Sequence, residues 1–416
     1  MDQLQTVKGF RDFLPSEKRR RDFIEKKVVE VFERFGFEPL ETPTIEYASL
    51  LLGKYGKEAD KLIYSFKDRG GRDLSLKYDQ TVPTSRILIQ YQNTLSRYFR
   101  RYQIQNVFRA EKPQKGRYRE FTQCDIDIFG STSPISDAEI IAATYFAFAN
   151  VNYPKITLLI NDRQILFSSL EKYASDTISV FSIIQSIDKL EKIGTKGVIE
   201  ELVKKGFTNE KATSALNSIQ KAQITENLKV IIQYTTQLGV PKENLLFTPH
   251  LARGLDYYTG MIFEVVLDGF ETGSLGGGGR YDQLIEKLGG KPIPAVGIAF
   301  GFDRMVEAAE QFNLIPSNIS STTVLVTIFN KETAAESFRL ARLLRKNKIN
   351  TEVYPAEDKL DKQLKYADRN NIPNVVILGP EEVNKKMIKL KNMKTGEQKE
   401  MTIEQLTEFL SSNYSN

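Results

Sequence analysis

The sequence predicts an α+β fold in its first three quarters and a smaller α/β module at its end. Three observations lead there. Strand-like runs at 72–79, 96–110 and 119–130 are set among helices. A stretch at about 163–239 carries only helical periodicity. Beyond residue 321 strand and helix patterns alternate regularly.

The first helix is read from Pro15 and Ser16, an apolar stripe of Phe23, Ile24, Val28, Val31, Phe32 and Phe35, and a stop at Gly36. FEPLETPTIE (37–46) carries two prolines among alternating apolar residues, an extended segment for an edge or interface. SRYFRRYQIQNVFRA and REFTQCDIDIFG flank the basic stretch EKPQKGRYR, a hairpin with a long loop. SDAEIIAATYFAFANV (136–151) is expected to be helical with Ser136 as its cap. GMIFEVVLDG reads as a strand, and AVGIAFGFDRMVEAAEQ as a strand entering a helix.

NLIPSNISS (313–321) reads as a linker, which divides the chain into 1–312 and 322–416. The second part runs strand TTVLVTIF, helix 331–349, strand INTEVYPA, helix 358–372, strand PNVVILG and helix IEQLTEFLSS, expected to form a mostly parallel sheet.

Composition bounds the function. The 416 residues are 41% hydrophobic and 27% charged with a net charge of +5, an ordinary globular balance that argues neither for nor against a polyanionic partner. One cysteine, Cys124, excludes an intramolecular disulfide and fits a reducing compartment. One histidine, His250, leaves no Cys/His zinc site, and a Ser-His or Cys-His hydrolase would rest on that residue alone. The N-terminus lacks a signal-like apolar region, and the longest apolar stretch, 140–148, is too short to span a bilayer. A cytoplasmic protein with no membrane partner is expected.

Five segments carry residues suited to chemistry. Along FRAEKPQKGRYREFTQCDIDIFG (108–130), alternation puts Arg109 and Glu111 on one face. The loop carries Lys112, Lys115, Arg117 and Arg119, and the returning strand presents Gln123, Asp125 and Asp127. Guanidinium suits phosphate oxygens, and carboxylate with amide suits an ammonium. A solvated, charge-edged hairpin is the plain alternative. LARGLDYYTG (251–260) sets Arg253 beside Tyr257 and Tyr258, flat walls with phenols that donate or accept, or else a tyrosine-rich turn. SLGGGGRYD (274–282) has four glycines that allow close approach or unusual dihedrals, or a flexible loop; it lacks the GK[ST] of a P-loop. GIAFGFDRM (297–305) delivers Arg304 at a helix start, where a surface salt bridge is the ordinary role. KYDQTVPTSR (77–86) holds Asp79, Gln80 and Thr81 at a strand end, where Asp79 could equally cap the next helix. His250 and Cys124 read as structural.

Taken together and in this order, the segments resemble the histidyl-tRNA synthetase family of class II aminoacyl-tRNA synthetases. GFEPLETPTIE is similar to class motif 1, the 108–130 stretch to motif 2 and GIAFGFDRM to motif 3. RGLDYYTG and SLGGGGRYD are similar to the two signatures of the histidine enzymes. The likeness runs to about Glu310. It implies a class II catalytic domain, an antiparallel sheet flanked by helices, interrupted by the helical insertion at about 163–239. The lysine-rich C-terminal region (RKNKI, NKKMIKLKNMK) is more weakly similar to the α/β anticodon-binding domain; its charge is also what a solvated face carries.

The resemblance implies ATP with Mg²⁺ and L-histidine as substrates, tRNA(His) as partner, a homodimer through motif 1, and no zinc. It also implies roles. Arg109 would bind the α-phosphate and the substrate carboxylate, Arg304 the γ-phosphate, Glu111 the adenine and Arg117 the outer phosphates. Arg253 would sit at the reacting α-phosphate. Asp79, Gln80, Thr81, Gln123, Asp127, Tyr257 and Tyr258 would line the histidine pocket, with Gln80 turned away from it. Lys77 stands where the family has arginine, and Gln80 where it has an apolar residue or glycine. Two other readings compete: a non-catalytic relative, the regulatory subunit of ATP phosphoribosyltransferase, which lacks the C-terminal domain; and a pure RNA-binding protein.

Overall fold

Helix 15–34 forms where its apolar stripe predicts, with Ile24, Val28, Val31 and Phe32 buried and Gly36 ending it at a φ of 73°. A computed structural model describes residues 4–53, 60–113, 116–253, 257–316 and 320–414. Lys115 of the basic loop, Gly254–Asp256 of RGLDYYTG and 317–319 of the expected linker therefore lie outside the described residues. The chain divides into two compact units, 1–12 with 22–314 and 13–21 with 315–416.

The larger unit is built on a sheet of eight strands. These are β1 (Glu38–Pro39), β5 (Phe99–Phe108), β6 (Glu120–Phe129), β7 (Ile156–Asp162), β8 (Leu245–Phe247), β9 (Met261–Leu267), β10 (Gly276–Arg280) and β11 (Ala295–Phe300). Their order is β1-β5-β6-β11-β10-β9-β7-β8. The six central strands pair antiparallel, as the resemblance implies; the short edge strands β1 and β8 pair parallel. Strands β2 (Ile45–Tyr47), β3 (Ser65–Lys67) and β4 (Asp73–Leu76) form a separate small sheet.

Helix Pro134–Val151 covers the large sheet. Its cap is Ser133, not Ser136: the Ile135 N–H donates to Ser133 Oγ at 3.3 Å, because Pro134, which has no N–H to satisfy, occupies the first helical position. Between β7 and β8 the described elements are helical: 163–170, 180–187, 190–204, 209–220 and 226–237, with a 3₁₀ turn at 171–173. They bury Ile183, Ile184, Leu202, Leu216 and Ile219 in a shared core.

The smaller unit has a sheet ordered β13-β12-β14-β15-β16, from Thr351–Val353, Val324–Val326, Asn374–Ile377, Ile388–Asn392 and Gln398–Met401. Both faces are covered. Val324, Val326 and Val376 pack with Leu340, Leu344, Leu406 and Leu410, while Leu325, Val375 and Ile377 pack with Ala367. The sheet is less parallel than expected. β12 pairs parallel with β13 and β14, but β14–β15 and β15–β16 are antiparallel. That hairpin is the lysine run read as a charged face: Ile388 and Leu390 point into the core while Lys389 and Lys391 alternate outward. Among the described residues no helix is long and apolar enough to cross a membrane.

Candidate active site

Strand β5 ends at Phe108, so Arg109 and Glu111 stand just past it rather than alternating along it; the Arg109 N–H still pairs with the Arg119 carbonyl at 2.9 Å. Both reach a cavity of about 320 Å³ that Arg117, Phe300 and Arg304 also line. Each arginine is aimed by a neighbour. Arg109 Nε donates to the Tyr78 carbonyl at 3.2 Å, and its guanidinium carbon lies 4.4 Å from the Tyr78 ring centroid and 5.0 Å from that of Phe121. Arg304, at the start of helix 302–311, donates from Nη1 to the Ser274 carbonyl at 2.8 Å. The exposed Arg117 lies 3.6 Å from Glu111. Arg11 stacks 3.3 Å over Tyr118 and pairs with Asp303 at 2.9 Å, tying the hairpin loop to the same helix.

Beside this cavity the sheet has a floor of small residues. On one face, β6, β11, β10 and β9 align Asp125, Ala299, Gly277 and Glu264, and in the adjacent row Asp127, Gly297, Gly279 and Ile262. Larger side chains lie down on that floor. A Cβ on Gly277 would fall 1.6 Å from Arg253 Nη1, one on Gly297 1.8 Å from Asp127 Oδ1, and one on Gly279 3.0 Å from Tyr258 Cδ1. The glycine run is thus a buried central strand and neither a flexible loop nor a site of positive φ; its use is close approach. Arg253 is held on this floor by Glu264, Nη1 to Oε1 at 2.7 Å.

The register of the β5–β6 hairpin sets Arg101 opposite Asp127, Gln103 opposite Asp125 and Gln105 opposite Gln123, a polar ladder buried except at the half-buried Gln105. Gln123 Nε2 donates to Asp125 Oδ2 at 2.7 Å. Arg101 Nη2 lies 2.7 Å from Asp127 Oδ2 and 3.6 Å from Asp125 Oδ2. The first contact is an ion pair aligned outside hydrogen-bond geometry, so Asp127 Oδ2, Asp125 Oδ1 and Gln123 Oε1 are buried acceptors without a hydrogen-bond donor among the described residues. The Tyr281 hydroxyl donates to Asp127 Oδ1. The Tyr257 ring stands 4.8 Å from Tyr258 and 5.6 Å from Tyr281, centroid to centroid.

Burial pushes the Asp125 carboxyl up to about 7 and raises Asp127 above the usual carboxylate range, against the pull of Arg101. Burial likewise brings Lys77 down to about 8; its Nζ donates to Gln105 Oε1 at 2.8 Å. Asp79 lies within electrostatic reach of Arg101, Asp125, Asp127 and Tyr257. Its Oδ1 also accepts from the Val82 N–H at 3.2 Å, so the capping role read as an alternative is filled. Thr81 is the first residue of helix 81–90. Gln80 is fully buried and its Nε2 donates to the carbonyls of Gln123 and Gln105 at 2.7 and 3.2 Å, which ties this turn to the hairpin.

A family model described as histidyl-tRNA synthetase matches residues 9–305, and an anticodon-binding-domain model matches 323–413. The chain belongs to the histidyl-tRNA synthetase family. It is 38% identical to the histidine–tRNA ligase of Christiangramia forsetii, covering 94% of this chain and 95% of the relative. It is 37% identical to that of Clostridium tetani, covering 97% of each. The crystal structure of histidyl-tRNA synthetase from Nostoc sp. PCC 7120 superposes with a TM-score of 0.87 at 31% identity, covering 98% of this chain and 99% of that one. With the family in hand, the fold brings Arg109, Glu111, Arg117 and Arg304 to one cavity and gathers Asp79, Asp127, Tyr257 and Tyr258 around one polar cluster. Sequence reasoning missed Arg101, Glu264 and Tyr281. The signal for Arg101 was present in R-Y-Q-I-Q, where Arg101, Gln103 and Gln105 repeat every second residue. Tyr281 stood within the quoted GGGGRYD.

Proposed function

We propose that this ligase activates L-histidine with ATP to histidyl-adenylate and transfers the histidyl group to the 3′ end of tRNA(His). In the first step a carboxylate oxygen of histidine attacks the α-phosphorus, the bond to the bridging oxygen breaks and diphosphate leaves. In the second a terminal ribose hydroxyl attacks the carbonyl and AMP leaves. The observation that carries this reading is the pairing of two subsites on one sheet: an arginine-lined cavity sized for nucleotide phosphates, and a floor of glycines with carboxylates and phenols above it.

In this reading Arg109 bridges the α-phosphate and the substrate carboxylate, Arg304 takes the γ-phosphate, Arg117 the outer phosphates and Glu111 the adenine. Two anions must meet, and Arg253, a permanent cation that cannot act as a base, stabilises the charge that develops at the α-phosphate. ATP enters as its magnesium complex. Glu111 and Asp303, the carboxylates lining the cavity, are already engaged, Glu111 near Arg117 and Asp303 with Arg11, so the ion would draw its ligands mainly from phosphate and water. Gln123 and Asp127 receive the α-ammonium, and Asp79, Thr81, Tyr257, Tyr258 and Tyr281 surround the imidazole. Partners for both ring nitrogens reject analogues that lack them, because buried groups would be left unpaired.

The lysine-rich C-terminal domain engages the tRNA anticodon region, and the exposed, proline-bearing edge strand β1 joins a second copy in a homodimer. A cytoplasmic location is consistent with a reaction on ATP and tRNA. Histidine-dependent exchange of diphosphate into ATP tests the function: exchange with histidine and with no other amino acid is expected. Folded protein that exchanges with none would overturn it in favour of a non-catalytic relative. Sedimentation tests the dimer.

A further inference from the structure

Residues Val7–Arg11 close the base of the hairpin loop that carries Arg117. The Phe10 N–H donates to the Val7 carbonyl at 2.9 Å, a tight turn in which Gly9 takes a φ of 92°. The Gly9 carbonyl accepts from the Arg119 N–H at 2.9 Å, so the turn pairs with the returning arm of the loop. The Arg119 side chain spans what surrounds it: Nε donates to the Glu111 carbonyl at 3.1 Å and Nη1 to the Lys8 carbonyl at 3.3 Å. A Cβ on Gly9 would fall 2.8 Å from Arg119 Cγ and 2.9 Å from Pro113 Cγ, one on each arm of the loop. Phe10 anchors the turn to the end of β5, its ring centroid 6.4 Å from that of Phe108.

Arg11 carries this clasp across to helix 302–311. Its guanidinium carbon lies 3.3 Å from the Tyr118 ring centroid, and Nη2 donates to Asp303 Oδ1 at 2.9 Å in the first turn of that helix. Tyr118 follows Arg117 and Asp303 precedes Arg304, and all four line the same cavity. An ion pair in open solvent contributes little. This one is partly withdrawn from water, with Asp303 only 17% exposed, and the ring fixes the guanidinium by its face while the carboxylate fixes its edge.

We propose that Arg11 is a positioning residue for ATP: it holds the loop arm bearing Arg117 against the helix bearing Arg304, and it neutralises the carboxylate that stands beside Arg304 in the phosphate cavity. This rests on the reading of Arg117 and Arg304 as the ligands of the outer phosphates. An arm left unheld would have to be ordered by ATP itself, at a cost in affinity. Asp303 stripped of this cation would repel the incoming polyphosphate. Arg117 and Arg304 are read as meeting ATP alone, so KM for histidine is the internal control.

The variants R11M, D303N, R11M/D303N and Y118L test this in the histidine-dependent exchange reaction, with KM for ATP, KM for histidine and kcat measured for the full chain. R11M should raise KM for ATP roughly tenfold while KM for histidine stays within about twofold, since it removes a charge-assisted bond from the nucleotide side alone. D303N breaks the same bridge but leaves a cation, not an anion, beside the phosphates, so its rise should be smaller. R11M/D303N lacks the bridge and also the stranded carboxylate. Its KM for ATP should therefore fall back from that of R11M toward that of D303N, a rescue that a merely structural role for Arg11 would not produce.

An unchanged KM for ATP in R11M, equal rises in both Michaelis constants, or a double variant whose KM for ATP is no lower than that of R11M would overturn the proposal. If R11M does not fold, Y118L carries the test: it removes the stack from the other side and should raise KM for ATP severalfold, and an unchanged value overturns the proposal equally. Wild-type protein that fails to exchange with histidine sinks the functional reading itself, which separates the two failures.

Discussion

Gly277 and Arg253 are mutually dependent: a Cβ on the one would stand 1.6 Å from Nη1 of the other, so the missing side chain is what allows the arginine to lie on the sheet. Glu264, one strand over and paired in register with Gly277, holds it there. A glycine that looks like a loop former in the sequence thus acts as the seat of the proposed transition-state cation.

Gly277→Ala should therefore lower kcat without unfolding the protein, because the atom it displaces is the far end of a flexible side chain. A loss of roughly a hundredfold is expected, the usual effect of removing one transition-state donor. Gly278→Ala should do the reverse. Its Cβ would meet the Gly297 carbonyl oxygen at 2.0 Å and Ile298 Cα at 2.7 Å, backbone atoms that move only if the strands part. About 3 kcal/mol of stability should be lost, of the order of other severe core disruptions. Denaturant titration beside exchange kinetics tells the two apart; equal instability in both would contradict the seat.

Tyr78→Leu should weaken the use of both ATP and histidine, because Arg109 is read as meeting both. The Tyr78 ring supports the Arg109 guanidinium from 4.4 Å, and a cation–π contact is worth about 1 kcal/mol, or roughly fivefold when spread over the two Michaelis constants. Unchanged Michaelis constants for both substrates would show that Arg109 is not aimed by this ring.

The buried Asp125 links stability to pH. Its folded carboxyl is raised to about 7 from a reference value of 3.8. The folded state therefore holds a proton that the unfolded chain releases first, so this group favours folding most in acid. That contribution declines as pH rises through the interval between the two values and is lost above about 7. The wild-type protein should lose a few kcal/mol relative to D125N across that window, by urea denaturation at stepped pH. A difference that does not vary with pH would show that Asp125 ionises normally.

Gln363, almost fully buried, serves as a strand end in the C-terminal unit. Its Oε1 accepts from the Ile328 N–H at 3.0 Å, while its Nε2 donates to the carbonyls of Ile328 and Asp358, each at 2.7 Å. Gln363→Ala strands three backbone groups and should cost about 2 to 3 kcal/mol. Hydrogen exchange should show that loss in 320–414, with histidine-dependent ATP exchange retained if the catalytic domain stands alone in that step.

Much of this was legible from local pattern. The stripe from Phe23 to Phe32 specified a helix, the alternation around 108–130 a hairpin, and GIAFGFDRM a strand that delivers Arg304. The misreadings have physical causes. Ser136 looked like a cap because the proline rule that favours Ser133 acts one turn earlier. Ile388 and Leu390 were hidden by the lysines that alternate with them. Four glycines in a row carry no periodicity at all, and only the strands on either side make them a strand.

By itself, the sequence determined which chemistry was available: arginines for phosphate, carboxylates and phenols for an amino acid, and too few cysteines and histidines for zinc. It also determined the local elements, because helix and strand periods are short-range. Only the tertiary structure decided which residues meet. Register across six antiparallel strands put Arg101 against Asp127 and emptied a floor for Arg253. Such pairings join residues far apart in the chain, and their energies come from burial and shared charge that no local window of sequence contains.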